Sequence, residues 1–124
     1  LVIVQPLLNG KDDTQESERA ASAAILSNPD IKGIFAANDN MAMGAEAAIG
    51  SKGIVLVGYD AAPAAQEKIK AGGVWKADVI QYPGEIGKTT VDTIDKFLKG
   101  ELKAEDKTIN VPVAVGIVDK DTIK

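Results

Sequence analysis

Short apolar runs alternate with amphipathic stretches along the whole chain. The apolar runs predict five strands, at Leu1–Gln5, Ile31–Ala37, Gly53–Val57, Val74–Gln81 and Ile109–Val118. The stretches between them predict four helices, from Asp13 or Thr14 to about Ser27 and then at Met41–Ile49, Ala64–Ala71 and Glu85–Lys99. This alternation is typical of an α/β fold. We expect three α/β/α layers, a mostly parallel sheet and right-handed crossovers.

Turn and cap residues set the predicted helix boundaries. Asp13 or Thr14 can cap the first helix, and either Asp39 or Asn40 can cap the second. Asn38 lies too early in the chain to be explained well as a cap. Pro63 fits the first position of the third helix, and glycines close the third and fourth helices at Gly72-Gly73 and Gly100.

Composition excludes several classes of function. The chain has 124 residues and a net charge of -4, which argues against a protein that binds a phosphate backbone. It contains no Cys and no His, so disulfides, thiol chemistry and the commonest general base are missing. No apolar run has the length of a membrane span, and no signal peptide is visible. Since the chain opens directly on a predicted strand without Met, we expect a processed or excised piece.

Polar side chains stand at the carboxyl ends of three successive predicted strands. Asn38 follows the second strand, Tyr59-Asp60 follows the third, and Gln81 ends the fourth. Ligands of parallel α/β folds bind at this edge of the sheet. An amide both donates and accepts hydrogen bonds, a carboxylate accepts them, and an aromatic ring packs on an apolar sugar face, which together suit a neutral polyol. Turn or cap chemistry is the alternative explanation for Asp60.

Other candidate motifs have simpler explanations. A helix start explains Asp12-Asp13 better than a metal pair does, and Trp75 is expected to be a packing or half-exposed strand residue. The segment from Gly50 to Gly53 lacks the order of a phosphate-binding P-loop. We therefore expect no metal and no cofactor.

The segments IFAANDNMAMGAEAAI, IVLVGYDAAPAAQEKIKAG and ADVIQYP resemble the second lobe of ribose-type periplasmic sugar-binding proteins. That family shares its fold, periplasmic-binding-protein-like type I, with the effector domains of LacI-type repressors. The resemblance implies that Asn38, Asp60 and Gln81 hydrogen-bond sugar hydroxyls, and that Tyr59 lines the site. It also implies a non-enzymatic function, monosaccharide binding for an ABC importer, with a membrane permease as partner. The implied location is the periplasm, or outside the cell with a lipid anchor in a Gram-positive organism.

The resemblance further implies an incomplete protein. Residues 1–82 match part of the second lobe, residues 83–110 match a hinge crossing with a helix that packs on the missing first lobe, and residues 111–124 match the return strand and tail. A ligand-binding arginine at the start of the second lobe would also be missing. Without the first lobe, the fourth helix would expose an apolar stripe, so we expect self-association or exchange of this helix between protomers.

Two other functions fit parts of the pattern. The sugar-effector domain of a LacI-type repressor would have a similar fold, with a helix-turn-helix headpiece ahead of it. A response-regulator receiver would use Asp60 as its phosphoacceptor. It also needs an acidic pair just after the first strand, where this chain has Pro6-Leu7-Leu8.

Overall fold

Helices and strands alternate in the computed structural model, which describes residues 3–4, 6–103 and 109–123. In this part of the chain the helices are α1 (Thr14–Ser27), α2 (Asp39–Ile49), α3 (Pro63–Ala71) and α4 (Pro83–Leu98). The strands are β1 (Gly33–Phe35), β2 (Val55–Tyr59), β3 (Trp75–Ile80) and β4 (Gly116–Asp119). The predicted α/β class is confirmed.

The strands form one sheet in the order β1-β2-β3-β4. β1 pairs with β2 in parallel, with Ile34 opposite Leu56, and β2 pairs with β3 in parallel, with Tyr59 opposite Val79. Because both pairings are parallel, the carboxyl ends of β1, β2 and β3 lie at the same edge of the sheet. The residues that follow these three strands are therefore candidates for one site.

The buried core is centred on α2, which lies between α1 and β2. Small side chains dominate it, and Trp75 is its largest member; its residues are Ala21, Ala36, Ala42, Ala45, Ala48, Ile49, Ile54, Leu56, Ala65, Ile69 and Trp75. α1 and α2 approach closely at Gly44, where a Cβ atom would meet Ser17 Oγ and the Thr14 carbonyl oxygen. The buried hydrophobic residues described are Ala, Ile, Leu and Trp75, and none is Val.

The first and last predicted strands differ from the structure. Leu1, Val2 and Gln5 lie outside the described residues, while Ile3 and Val4 are exposed and belong to no strand. The last strand covers Gly116–Asp119, so its predicted start at Ile109 is wrong. An apolar run becomes a strand only where a neighbouring strand offers its backbone hydrogen bonds, and sequence pattern does not reveal that partner.

The chain divides into two compact units, Leu1–Ile80 with Ile117–Lys124, and Gln81–Gly116. The second unit contains α4, which begins at Pro83 because proline is favourable in the first turn of a helix; the predicted start at Glu85 is two residues late. A groove of about 440 Å³ in this unit is lined by Ile86, Thr89, Thr90, Thr93, Ile94, Phe97, Ile109, Val111 and Val113. In the described part of the chain, no helix combines the length and apolar content that crossing a bilayer requires.

Candidate ligand-binding site

Asn38 lies at the junction of β1 and α2 and is the N-cap of α2. Its Oδ1 accepts a hydrogen bond from the Met41 backbone N–H at 2.9 Å, and its Nδ2 donates to Asp12 Oδ1 at 2.6 Å. The prediction that Asp39 or Asn40 caps this helix is wrong, because α2 begins at Asp39, which leaves Asn38 in the cap position with an extended backbone. One side chain thus serves helix capping and remains half-buried at the candidate site.

Asp12 is a neighbour of Asn38 that sequence reasoning missed. Its Oδ1 accepts from the side-chain amides of Asn38, at 2.6 Å, and Asn40, at 3.3 Å. Asp13 caps α1 by accepting from the Glu16 N–H, as predicted, whereas the explanation of Asp12 by the same helix start is wrong. Asp12 reaches Asn38 from a loop in which it has a φ of 55°, a left-handed conformation that the sequence pattern did not indicate. No cluster that could hold a metal ion occurs among the described residues.

Tyr59 and Asp60 mark the carboxyl end of β2. Tyr59 is half-buried and ends the strand, and the Asp60 N–H donates to the Val79 carbonyl oxygen at 2.9 Å. Asp60 and Ala61 have φ values of 102° and 57°, which are costly for residues with a side chain. The surrounding structure therefore has to hold this loop, defined here as Tyr59–Ala61.

A hydrogen bond connects this loop with the turn that carries Asn38. The Ala62 N–H donates to Asp39 Oδ2 at 2.7 Å, so the residue after Asn38 binds the residue after the loop. The structure thereby brings the Asn38 turn and the Tyr59–Ala61 loop together at the sheet edge. Gln81 directly follows the last residue of β3 and is the first residue of the second unit.

Asp78 is a fully buried carboxyl group beneath the end of β2. Its Oδ1 accepts from Trp75 Nε1 at 2.8 Å, and the carboxyl group packs so closely on Gly58 that an added Cβ there would meet Oδ1. Burial raises the pKa of Asp78 to about 7; the Trp75 hydrogen bond opposes this shift, and neighbouring Asp39 adds to it.

The burial of Asp78 was not predicted. Simple alternation along β3 places its side chain on the face of the strand opposite to that of Trp75, Ala77 and Val79. In the pairing with β2, Leu56 faces Trp75 and the next residue, Val57, faces Ala77. This irregularity gives β3 one extra residue, Lys76, and the alternation of side chains shifts there. As a result, Trp75 and Asp78 can meet although they are three residues apart. The expectation that Trp75 is a packing residue is confirmed, since its side chain is fully buried.

The sequence and fold both match known proteins. The family model described as periplasmic binding protein domain matches residues 1–102. The chain belongs to the periplasmic binding protein family. Together with the ribose-binding relatives described next, the match confirms the resemblance to the ribose-binding type, and it offers no support for a receiver domain.

Curated relatives of the chain are named as sugar import binding proteins. The chain is 38% identical over 80 residues to the ribose import binding protein of Escherichia coli, covering 62% of this chain and 27% of that protein. It is 41% identical over 91 residues to the ribose import binding protein of Bacillus subtilis, covering 72% of this chain and 29% of that protein. The chain thus spans less than a third of the length of these relatives.

Solved structures of family members share the fold. An ABC transporter periplasmic solute binding protein from Actinobacillus succinogenes with bound D-allose matches with a TM-score of 0.67 and 28% identity. The match covers 91% of this chain and 39% of that one. An ABC transporter solute binding protein from Agrobacterium vitis with bound D-fucose matches with a TM-score of 0.68 and 27% identity, covering 95% of this chain and 40% of that one. The predicted type I periplasmic-binding-protein-like fold is confirmed.

Proposed function

We propose that this chain binds a monosaccharide as part of the solute-binding component of an ABC importer. The observation that carries the proposal is the joining of the Asn38 turn and the Tyr59–Ala61 loop at one sheet edge, by the hydrogen bond from Ala62 to Asp39. Relatives are named for import of ribose and D-apiose and for binding of D-allose, which supports a sugar of this size.

Each proposed site residue has a chemical role that suits a sugar. The Asn38 amide has two N–H groups, and one remains for a ligand hydroxyl beside the hydrogen bond to Asp12. The Asp60 carboxylate accepts hydrogen bonds from hydroxyl groups, and the Tyr59 ring packs against the apolar face of the sugar. Gln81 provides a second amide. None of these roles requires covalent chemistry, a metal or a cofactor.

The second unit is proposed to join this lobe to another one. In this proposal, residues 1–82 belong to the sugar-binding lobe, residues 83–110 form a hinge crossing whose helix packs on a first lobe, and residues 111–124 form the return strand and tail. Closure of two lobes on the sugar would present a new surface to the membrane permease. The relatives' names favour this importer role, in the periplasm or outside the cell, over a LacI-type repressor.

A backbone NMR titration with pentoses and hexoses at millimolar concentration tests the proposal. Half of an enclosed site provides few contacts, so we expect a dissociation constant on the order of millimolar. One sugar should give saturable shifts at Asn38, Tyr59, Asp60 and Gln81. Asp60→Asn should abolish them, because the amide keeps the loop conformation and loses the charge, while Asp30→Asn at an exposed position should leave them unchanged.

Two results would contradict binding by this chain. One is the absence of saturable shifts with every sugar in the panel. The other is a set of shifts that Asp60→Asn and Asp30→Asn change equally, since that would place the sugar elsewhere. A response to one sugar alone would also identify the class of ligand, which the family match does not specify.

A further inference from the structure

The Tyr59–Ala61 loop is held from both sides by a pair of buried carboxyl groups. On one side, Asp78 packs so closely on Gly58 that an added Cβ there would meet Asp78 Oδ1, and on the other the Ala62 N–H donates to Asp39 Oδ2 at 2.7 Å. Asp78 is 0% exposed and Asp39 is 9% exposed. The two groups interact with each other directly. The Tyr59–Ala61 loop, with its strained backbone at Asp60 and Ala61, thus lies between a residue that packs on Asp78 and a residue that binds Asp39.

One oxygen of each carboxyl group is buried without a donor from the described residues: Asp39 Oδ1 and Asp78 Oδ2. Two neighbouring carboxylates in a buried place repel each other, so a state with both ionised is unfavourable. A single proton held between the groups makes one of them a donor and the other an acceptor. That proton would therefore satisfy both oxygens and remove the repulsion.

We propose that Asp39 and Asp78 are positioning residues, which hold the Tyr59–Ala61 loop in its sugar-binding shape by sharing one proton. The inference rests on the proposed function, because it assigns these residues a part in sugar binding. Neither residue needs to touch the sugar. The pair acts through Gly58 and Ala62, the two residues that flank the loop.

The proton makes the loop sensitive to pH. The pKa of Asp78 is raised from 3.8 to about 7, mainly by burial, so the folded chain keeps a proton that the unfolded chain releases at lower pH. The stabilisation is fully present below about 3.8 and is lost as the pH rises towards about 7. Above that value Asp78 loses its proton, and the repulsion from neighbouring Asp39 loosens the hold of the pair on the loop.

Of the described residues, Asp39 is the charged group that acts on Asp78. The charged side chains of the elements packed around the pair are exposed or paired with each other. Lys68 of α3 and Glu46 of α2 form an ion pair at 2.6 Å, and the exposed residues are Glu67, Lys70 and Lys76.

Asp78→Asn removes the titrating proton and keeps the shape of the side chain. The amide oxygen can still accept from Trp75, and the amide N–H can donate to Asp39 Oδ1 in place of the proton. This N–H does not titrate, so the variant should keep the loop in place and lose its pH response. Asp30→Asn, at an exposed position, is the matched control.

NMR spectra of backbone and indole N–H groups, from about pH 5 to about pH 9, test the inference without sugar. Trp75 is the single tryptophan, so its indole signal reports directly on Asp78. In the wild-type chain and Asp30→Asn, this signal and the amides of Tyr59, Asp60 and Ala61 should shift together with a midpoint near pH 7. In Asp78→Asn they should stay constant. Signals that do not move in the wild type, or that keep the same midpoint in Asp78→Asn, would overturn the inference.

A sugar titration at several pH values connects the pair with binding. Affinity of the wild-type chain should fall by up to about tenfold between about pH 7 and about pH 8, while that of Asp78→Asn stays constant. An unchanged wild-type affinity, with the amides still titrating, would rule out a role in sugar binding. If no sugar binds at any pH, the proposed function fails, and the amide titration still decides whether the pair holds the loop.

Discussion

The Asn38 side chain is fixed at both ends of its amide. Its oxygen caps α2 and its nitrogen binds Asp12, so the amide cannot turn over without losing both hydrogen bonds. A ligand therefore meets a donor of known direction. The same residue contributes to folding and to recognition, and a suitable substitution separates the two contributions.

Asn38→Ser should keep the cap and lose the amide. Serine is nearly as good an N-cap as asparagine, so the free energy of unfolding should change by a few tenths of a kcal/mol, whereas Asn38→Ala should cost about 1 kcal/mol. Both variants should lose the sugar-induced NMR shifts. Urea unfolding measures the first effect and the sugar titration measures the second.

Asn28→Ala provides the matched control for Asn38. Asn28 ends α1, where its side chain donates to the Ala24 carbonyl oxygen at 3.0 Å, so its loss should destabilise the chain without changing sugar binding. Sugar affinity at the wild-type level in Asn38→Ser would show that the Asn38 amide does not contact the ligand.

At this scale, sequence pattern predicted the residues after the strands and missed those that support them. Asn38, Tyr59 and Asp60 could be chosen because strand ends follow from apolar runs. Asp12 and Asp78 could not, because one depends on a left-handed loop and the other on an extra residue in β3. Neither irregularity changes the alternation of apolar and polar residues that sequence reasoning uses.

Helices were predicted more accurately than strands because their ends have local signals. Asp13 caps α1, Pro63 starts α3, and Gly72 ends it with a left-handed backbone, each as predicted. Strands depend instead on a partner that is distant in sequence. β2 and β3 pair with each other, whereas Ile3, Val4 and residues 109–115 belong to no strand.

The contact between α1 and α2 depends on the absence of a side chain at Gly44. Alanine is favoured over glycine within a helix by about 1 kcal/mol, yet Gly44→Ala should destabilise the chain by about 1–3 kcal/mol. The reason is that its Cβ would meet Ser17 Oγ and the Thr14 carbonyl oxygen. Urea unfolding followed by circular dichroism measures the change.

Gly87 in α4 offers a matched comparison. An added Cβ there meets nothing within 4 Å. Gly87→Ala should therefore raise the free energy of unfolding by about 0.5–1 kcal/mol. If both alanine variants were stabilising, the two helices would have to separate easily, and the tight packing of α1 on α2 would not be important for the fold.

At the scale of the whole molecule, α4 presents an apolar surface without a buried residue. Ile86, Val91, Ile94 and Phe97 are between 37% and 65% exposed. Exposed apolar patches of this kind promote association. We expect the chain to self-associate at tens of micromolar, either by pairing of this surface or by exchange of α4 between protomers. Analytical ultracentrifugation measures the oligomeric state.

Phe97→Glu should shift the chain towards the monomer, because it places a charge in the apolar surface. Leu26→Glu is the control, since Leu26 is 81% exposed on α1, away from α4 in the chain. A wild-type chain that sediments as a monomer would contradict the prediction. Equal effects of the two substitutions would show that association does not use α4.

The close approach of Gly58 to Asp78 and Trp75 also limits how this sequence can vary. A Cβ at position 58 would meet Asp78 Oδ1, and it would lie 2.9 Å from Trp75 Cζ2. Any larger residue at position 58 therefore requires a smaller partner at position 78 or 75. Among folded variants from a library that randomises these three positions, the choices should be statistically correlated. Natural drift at one position would accordingly be constrained by the amino acids already present at the other two.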